Sequence, residues 1–408
     1  MGAGLSVFTE KWIPDAWVIC MILTALAIFL CIFGAGATLE ETILAWGEGV
    51  WNLLGLAMQF TIAMVAASAC VSSRPVHKLF SWLSSIPDPD KPIHALLLAG
   101  IFSLITGYLN WALCIVACAL FTPFILKKNP KVDVRLLICA SYLGLGTVWH
   151  GGLSGSAPLI LATPGNPLLV ASEGATSVVD RLYPVTETLF NPFNLTFLLI
   201  IGLTGLVATC LLHPKRGART LSPTEIEQIM PKPPAKMEKP STPAEYIDQF
   251  RGWVLLAVVL LIYPLGHSIV TKGFGTSWTI NAYNTSFLVL ALLLHGRAPS
   301  FLRACRDGVD SAWGIIVQFP FYAGIFGLLQ KTELGNWLGN FFADVATTAT
   351  YPWVVYAYSG LMNLFVPSAG SKWMIEAPFL IPAAEKLDVS VVTTLLAYSY
   401  GDSTTNLI

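Results

Sequence analysis

Charge is what this sequence has least of. Only 12% of its 408 residues are Asp, Glu, Lys or Arg, where soluble domains carry about 25%. That leaves too little polar surface to cover a soluble body, and 55% of the chain is hydrophobic. A basic excess is missing as well. The 23 Lys and Arg residues face 24 Asp and Glu, so there is no cationic footprint for nucleic acid. The eight cysteines form no CxxC pair. Neither a zinc site nor a disulfide framework is implied, and their apolar neighbours make them core fillers. The first apolar block has only Glu10 and Lys11 on its flank and is too long for a signal-peptide core. It reads as a retained span. Residues 1–6 fit a loose myristoylation pattern, an anchor that would be redundant on a chain with many spans.

What is present is a series of long apolar blocks, with cores at 17–33, 53–66, 197–212, 254–262, 286–294 and 313–329. A helix needs about 20 apolar residues to cross about 30 Å of hydrocarbon. The chain is therefore expected to be an all-α polytopic membrane protein in the lipid bilayer. Charge asymmetry gives an orientation. With the first span running outward, and residues 93–126 entering and leaving on one side, eighteen of the 23 Lys and Arg fall inside. Four fall outside (Arg181, Lys272, Lys331 and Lys386), and Lys372 remains within an apolar hairpin. That bias follows the positive-inside rule and puts the N-terminus in the cytoplasm. The Pro-, Lys- and Glu-rich stretch 214–250 reads as a cytoplasmic, partly disordered linker. It separates a first membrane repeat (1–213) from a connecting helix and second repeat (251–408). Residues 74–85 read as an interfacial segment, with Trp82 at headgroup depth.

An internal duplication supports this division. Gly49-Val50 with Gln59-Phe60 answers Gly308-Val309 with Gln318-Phe319 at an offset of 259. Asn110 answers Asn363 at 253, and Gly144 answers Gly401 at 257. The charge threading puts Gly49 at the outer end of its helix and Gly308 at the inner end of its own. The repeats are therefore expected to be inverted, each with a re-entrant helical hairpin (about 93–126 and 356–384) and a broken helix. That is the plan of secondary transporters with a midplane site. The chain stops within the segment answering 144–158, so a C-terminal helix or helices are expected beyond it.

Four polar, small-residue runs lie at membrane depth, where unpaired backbone is tolerated only around cavities. They are 107–111, 149–158 with 163–167, 363–372, and 401–406. Helix N-termini exposed by such breaks attract carboxylates, and freed carbonyls hold cations. The candidate substrate ligands are Asn110, Ser154, Gly155, Ser156, Ser368, Gly370, Ser371 and Lys372. Lys372 would neutralise the substrate anion, though pairing with Glu376 one turn on is the plainer reading. The candidates for cation or proton coupling are Asp402, Asn363, Thr405, Asn406, Thr163 and Asn166, with Na+ or H+ as the ion and no other cofactor. His150 could relay protons or simply pack. Gln59 and Gln318 could line the site or hold helices together, and Glu48 reads as an acid at a helix start.

The residues also resemble the short-chain fatty acid transporter family over essentially the whole chain. The resemblance is carried by Trp46-Gly47-Glu48-Gly49 with Trp51-Asn52-Leu53-Leu54, and by Leu153-Ser154-Gly155-Ser156-Ala157-Pro158 with Ala162-Thr163-Pro164-Gly165-Asn166-Pro167. It continues in Val317-Gln318-Phe319-Pro320-Phe321-Tyr322 and Val366-Pro367-Ser368. It implies cation-coupled uptake of short carboxylates such as butyrate or acetoacetate across a bacterial inner membrane. It also implies kinship with the ion-transporter superfamily, hence a homodimer and elevator-type alternating access. Three other readings compete: a cation/proton exchanger without an organic substrate, a channel, and an intramembrane hydrolase using Ser154 or Ser368 with His150. The last lacks a nucleophile elbow and an acidic orienter near the histidine, so no enzyme is expected.

Overall fold

The computed structural model describes residues 11, 14–170, 177–234, 237–366 and 368–407. The myristoylation-like pattern and Pro367 of the third polar run lie outside them. The described chain is helical, with no strand, and eight of its helices are long and apolar enough to cross a membrane.

The first half opens with α1 (Ala16–Phe33), α2 (Leu39–Gly49) and α3 (Leu54–Val71). Next come the short α4 (Arg74–Leu83), the pair α5 (Pro92–Leu109) and α6 (Trp111–Lys128), and α7 (Val134–Thr147). A 3-10 turn (Trp149–Gly151) leads to α8 (Ser156–Ala162), and α9 (Pro192–Leu211) closes the half. The linker carries two helices, α10 (Pro223–Ile229) and α11 (Pro243–Asp248). The second half runs α12 (Gly252–Lys272), α13 (Phe274–Ser277), α14 (Ile280–His295), α15 (Ala298–Val309) and α16 (Trp313–Lys331). It ends with α17 (Leu334–Asp344), α18 (Tyr351–Asn363), α19 (Ala369–Lys386), α20 (Val391–Thr404) and a 3-10 turn (Thr405–Leu407).

Local chemistry sets the breaks. Asn110 is extended and its Oδ1 accepts from the Leu113 amide at 2.9 Å. That cap ends α5 and starts α6. The hairpin then closes on itself, with Ser103 Oγ 3.6 Å from Cys114 Sγ. In the second half the first helix ends at Asn363 and the second begins at Ala369, and Ser368 precedes α19 without a side-chain cap. The linker is more ordered than its composition predicts. Capping boxes at Ser222–Glu225 and Thr242–Glu245 start its helices, and Ile226 is buried in the cluster that holds Leu126 and Val132. Glu48 lies in the last turn of α2 rather than at a helix start. Its carboxylate pairs with Lys331 on α16, so the dipole argument does not apply to it.

Two pairs of close crossings order the bundle. A Cβ on Gly144 of α7 would lie 2.0 Å from the Ser103 carbonyl of α5, and one on Gly401 of α20 would lie 2.1 Å from the Tyr356 carbonyl of α18. Glycine alone allows that approach. Similarly, a Cβ on Gly49 would lie 2.7 Å from the Gly327 Cα, and one on Gly308 would lie 3.2 Å from the Ser68 Cβ. Gly49 ends α2, five residues before α3 begins, and meets the last turns of α16; Gly308 lies near the end of α15, five residues before α16 begins, and meets the end of α3, so α3 and α16 run antiparallel. Phe60 and Phe319 meet where they cross, with ring centroids 5.8 Å apart. The opposite extreme is α12, whose Leu255, Val259 and Val270 are all exposed. An apolar face this open suits lipid.

Candidate functional site

A cavity of about 420 Å³ lies where α3 and α16 face the two hairpin tips and the end of α20. Phe60 and Met64 come from α3, Gln318 and Phe319 from α16, and Trp111 from the first tip. Ser368, Ala369 and Gly370 come from the second tip, and Ser156, Asn363, Asp402 and Asn406 complete the polar wall. Apolar rings therefore cover one side while small and polar groups cover the other. Such a pocket suits a ligand with a short apolar tail and a polar head.

Behind the polar wall is a buried charge cluster. Asp402, Lys372 and Glu376 are each 1% exposed, and His150 is fully buried. Lys372 Nζ is 2.8 Å from Asp402 Oδ1, but that oxygen receives no well-aligned N–H. The ammonium instead donates to the Ser359 carbonyl at 2.8 Å and to its hydroxyl at 3.1 Å. It also lies 4.8 Å from the centre of the Tyr398 ring. His150 Nε2 accepts from the Ala157 amide, so the ring proton is on Nδ1, which donates to Asp402 Oδ2 at 3.0 Å. The histidine is thus neutral, and Lys372 and Asp402 balance each other. The Lys372–Glu376 pairing expected from helix spacing does not form, because the lysine turns across to α20. Neither Glu376 oxygen makes a hydrogen bond.

The remaining candidates separate by role. Asn363 Nδ2 donates to the Asp402 carbonyl at 2.9 Å, to Thr405 Oγ1 at 3.0 Å and to Asn406 Oδ1 at 2.9 Å. Four of the proposed coupling residues therefore form one knot. Thr163 and Asn166 are elsewhere: the threonine hydroxyl accepts from the Ile280 amide, and Asn166 organises the turn after Gly165. Asn110 is buried as a helix cap. Ser154 accepts from the Trp111 amide at 2.9 Å, bracing the first tip from behind. Gly155 packs against the His150 carbonyl, and Ser371 donates to Ser368. Gln59 bonds to Asn281 on α14, while Gln318 lines the cavity. Sequence reasoning missed Ser359, Tyr398 and the ring pair Phe60 and Phe319. The ring pair was legible, since each half repeats a Gln-Phe dipeptide. Ser359 carried no signal, because a buried serine donor is unremarkable in a helix.

An all-helical membrane bundle with broken helices around a two-faced cavity is the architecture of a transport protein. The comparisons agree. The short chain fatty acid transporter family matches residues 1–408, and the chain belongs to that family. A protein of Escherichia coli K12, provisionally named a short-chain fatty acid transporter, is 32% identical over 407 residues, covering 98% of this chain and 88% of that protein. One of the same name from Haemophilus influenzae is 32% identical over 99% of this chain and 89% of its own length. Two solved structures share the fold. The Alcanivorax borkumensis YdaH transporter aligns with a TM-score of 0.59 at 14% identity, over 96% of this chain and 87% of that one. The Neisseria gonorrhoeae antimetabolite efflux pump MtrF aligns with a TM-score of 0.56 at 16% identity, over 97% and 85%. Members of the family are transporters rather than enzymes. The hydrolase reading falls with that, and Ser154 is committed to an amide in any case.

Proposed function

We propose that this chain carries short monocarboxylates such as butyrate or acetoacetate across the bacterial inner membrane, coupled to a cation, by alternating access. The observation that carries the reading is the two-faced cavity with the start of α19 in its polar wall. Ser368 supplies no side-chain cap, so the first amides of α19 are free to hold a carboxylate, favoured by the helix dipole. The Ser156 hydroxyl lies in the same wall. Phe60, Met64, Trp111 and Phe319 offer an apolar bed for a short tail. Burial of each CH2 there is worth about 0.8 kcal/mol, so a few methylenes give useful affinity without trapping the substrate.

Inverted repeats are supported by the antiparallel crossing of α3 and α16 and by Phe60 meeting its own counterpart. A scaffold of α3, α14, α15 and α16 against a mobile body bearing both tips would give an elevator. The tip residue Gly370 rides directly on the Phe60 ring, where a Cβ would come within 2.5 Å. A homodimer and a cytoplasmic N-terminus complete the reading. A bare cation exchanger would have no use for the apolar half of the cavity.

The test is uptake of labelled butyrate into proteoliposomes, with Na+ and proton gradients imposed separately. Saturable uptake driven by one gradient is expected. Absence of uptake by folded protein under both gradients rejects the carboxylate reading and moves the exchanger forward.

A further inference from the structure

Glu376 is a buried carboxyl that no step above uses. It is 1% exposed on α19, one turn beyond Lys372, and neither of its oxygens is hydrogen-bonded. The charged and titratable side chains facing it are Lys372 on its own helix, Asp402 and Tyr398 on α20, and Tyr358 on α18. None offers it a free positive charge. The Lys372 ammonium is held by Asp402 and Ser359, and the neutral His150 donates to Asp402. An ionised carboxylate left alone at this depth would cost several kcal/mol, so the group must hold a proton in this conformation.

Its place along α19 gives that proton somewhere to go. The 420 Å³ cavity touches the helix at residues 368–370. A second cavity, of about 510 Å³, touches it at Pro378 and Pro382, and its lining includes the polar residues Glu41, Lys331 and Asn336 beside apolar ones such as Leu329. Glu376 lies between these two contacts. Prolines at 378 and 382 withdraw two amide hydrogens from the helix, which loosens the segment just past the glutamate.

We infer that Glu376 is the proton-carrying group of this transporter, taking its proton from water in one cavity and returning it to water in the other. On uptake an O–H bond of hydronium breaks as one forms at the carboxylate, leaving water, and on release the carboxyl O–H bond breaks as the proton passes to a water, giving hydronium. The ammonium of Lys372 is the counter-charge available to the glutamate while it is empty, when Asp402 is held by His150 alone. The inference rests on the carboxylate-carrier reading and adds that the coupling ion is H+. The oxygen knot around Asn363 is already filled by the protein's own amide, so it makes no demand for a metal ion.

The test compares wild type with Glu376→Gln in proteoliposomes, by infrared spectroscopy at neutral pH and by butyrate transport. Wild type should show a protonated-carboxyl C=O band that disappears in E376Q. E376Q should still exchange internal for external butyrate but lose accumulation driven by a proton gradient. The inference is overturned if the band is absent or survives the substitution. It is also overturned if E376Q still accumulates butyrate on a proton gradient, or if folded E376Q loses exchange together with accumulation. If wild type neither exchanges nor accumulates butyrate, the carrier reading fails by itself. The infrared band then decides alone whether Glu376 holds a proton.

Discussion

The two halves share a backbone plan and differ in chemistry. In the first half α5 packs on α7 through Gly144, and in the second α18 packs on α20 through Gly401, at nearly equal closeness. Counted from the residues that immediately precede the second helix of each hairpin, Asn110 and Ser368, Lys372 answers Cys114 and Glu376 answers Cys118. Where Lys372 donates to the carbonyl and hydroxyl of Ser359, Cys114 reaches the carbonyl and hydroxyl of Ser103 at 3.5 and 3.6 Å. Asp402 has Leu145 as its counterpart. At the opposite ends of the equivalent helices the pattern reverses. Asp133 caps α7 while Ser390 caps α20. At these positions the second half buries charge where the first has thiols and a leucine, and the first places a carboxylate where the second has a serine. The helix crossings are alike, but the polarity beside them is not.

The sharpest way to break this contrast is to remove the buried charge. Lys372→Ala leaves Asp402 uncompensated, and removing one partner of a buried pair costs about 3–5 kcal/mol. The matching Cys114→Ala should cost far less. Thermal unfolding in detergent measures both, and equal losses would end the claim that the halves differ in chemistry. K372A combined with D402N should recover much of the single-mutant loss, because no lone charge remains.

The shared geometry has its own test. Gly144→Ala and Gly401→Ala each force a methyl into a backbone carbonyl, and overpacking of this kind costs about 1–3 kcal/mol. Similar losses in unfolding midpoint are expected from the two. A large loss at one and none at the other would show that the crossings are not equivalent.

A smaller effect is expected at the helix starts. Asp133 accepts from the amides of Arg135, Leu136 and Arg219 and pairs with the Arg135 guanidinium at 3.0 Å. Burial works to raise its pKa, but these partners outweigh it and hold the carboxyl below the usual range. Its contribution is therefore complete above the ordinary value of about 4 and is lost only as pH falls through the depressed one. Asp133→Ala should cost about 1–2 kcal/mol and free the linker at Arg219, seen as faster proteolysis of 214–234. Ser390→Ala should cost about 1 kcal/mol or less and leave the linker protected.

The smallest expected effect separates cavity wall from packing. Gln318→Leu removes a polar group from the cavity, whereas Gln59→Leu breaks only the bond to Asn281. Butyrate half-saturation should shift for the first and stay put for the second.

Much of this was legible in the sequence, because the bilayer imposes one-dimensional rules. Charge scarcity and apolar run length pointed to a helical membrane protein, and the recurring glycine and phenylalanine positions marked residues that meet at helix crossings. Asn110 and Gly165 announced breaks through local chemistry that needs no neighbour. Only the tertiary structure decided who meets whom. Lys372 had a carboxylate one turn away and chose another thirty residues on, since the α18–α20 crossing brings Asp402 and Ser359 to its ammonium. Thr163 accepts from the Ile280 amide and Asn166 holds a turn, whereas Phe60 and Phe319 line the cavity. Helix periodicity names the residues that share a face, but the partner of that face depends on contacts between segments hundreds of residues apart. No local pattern encodes them.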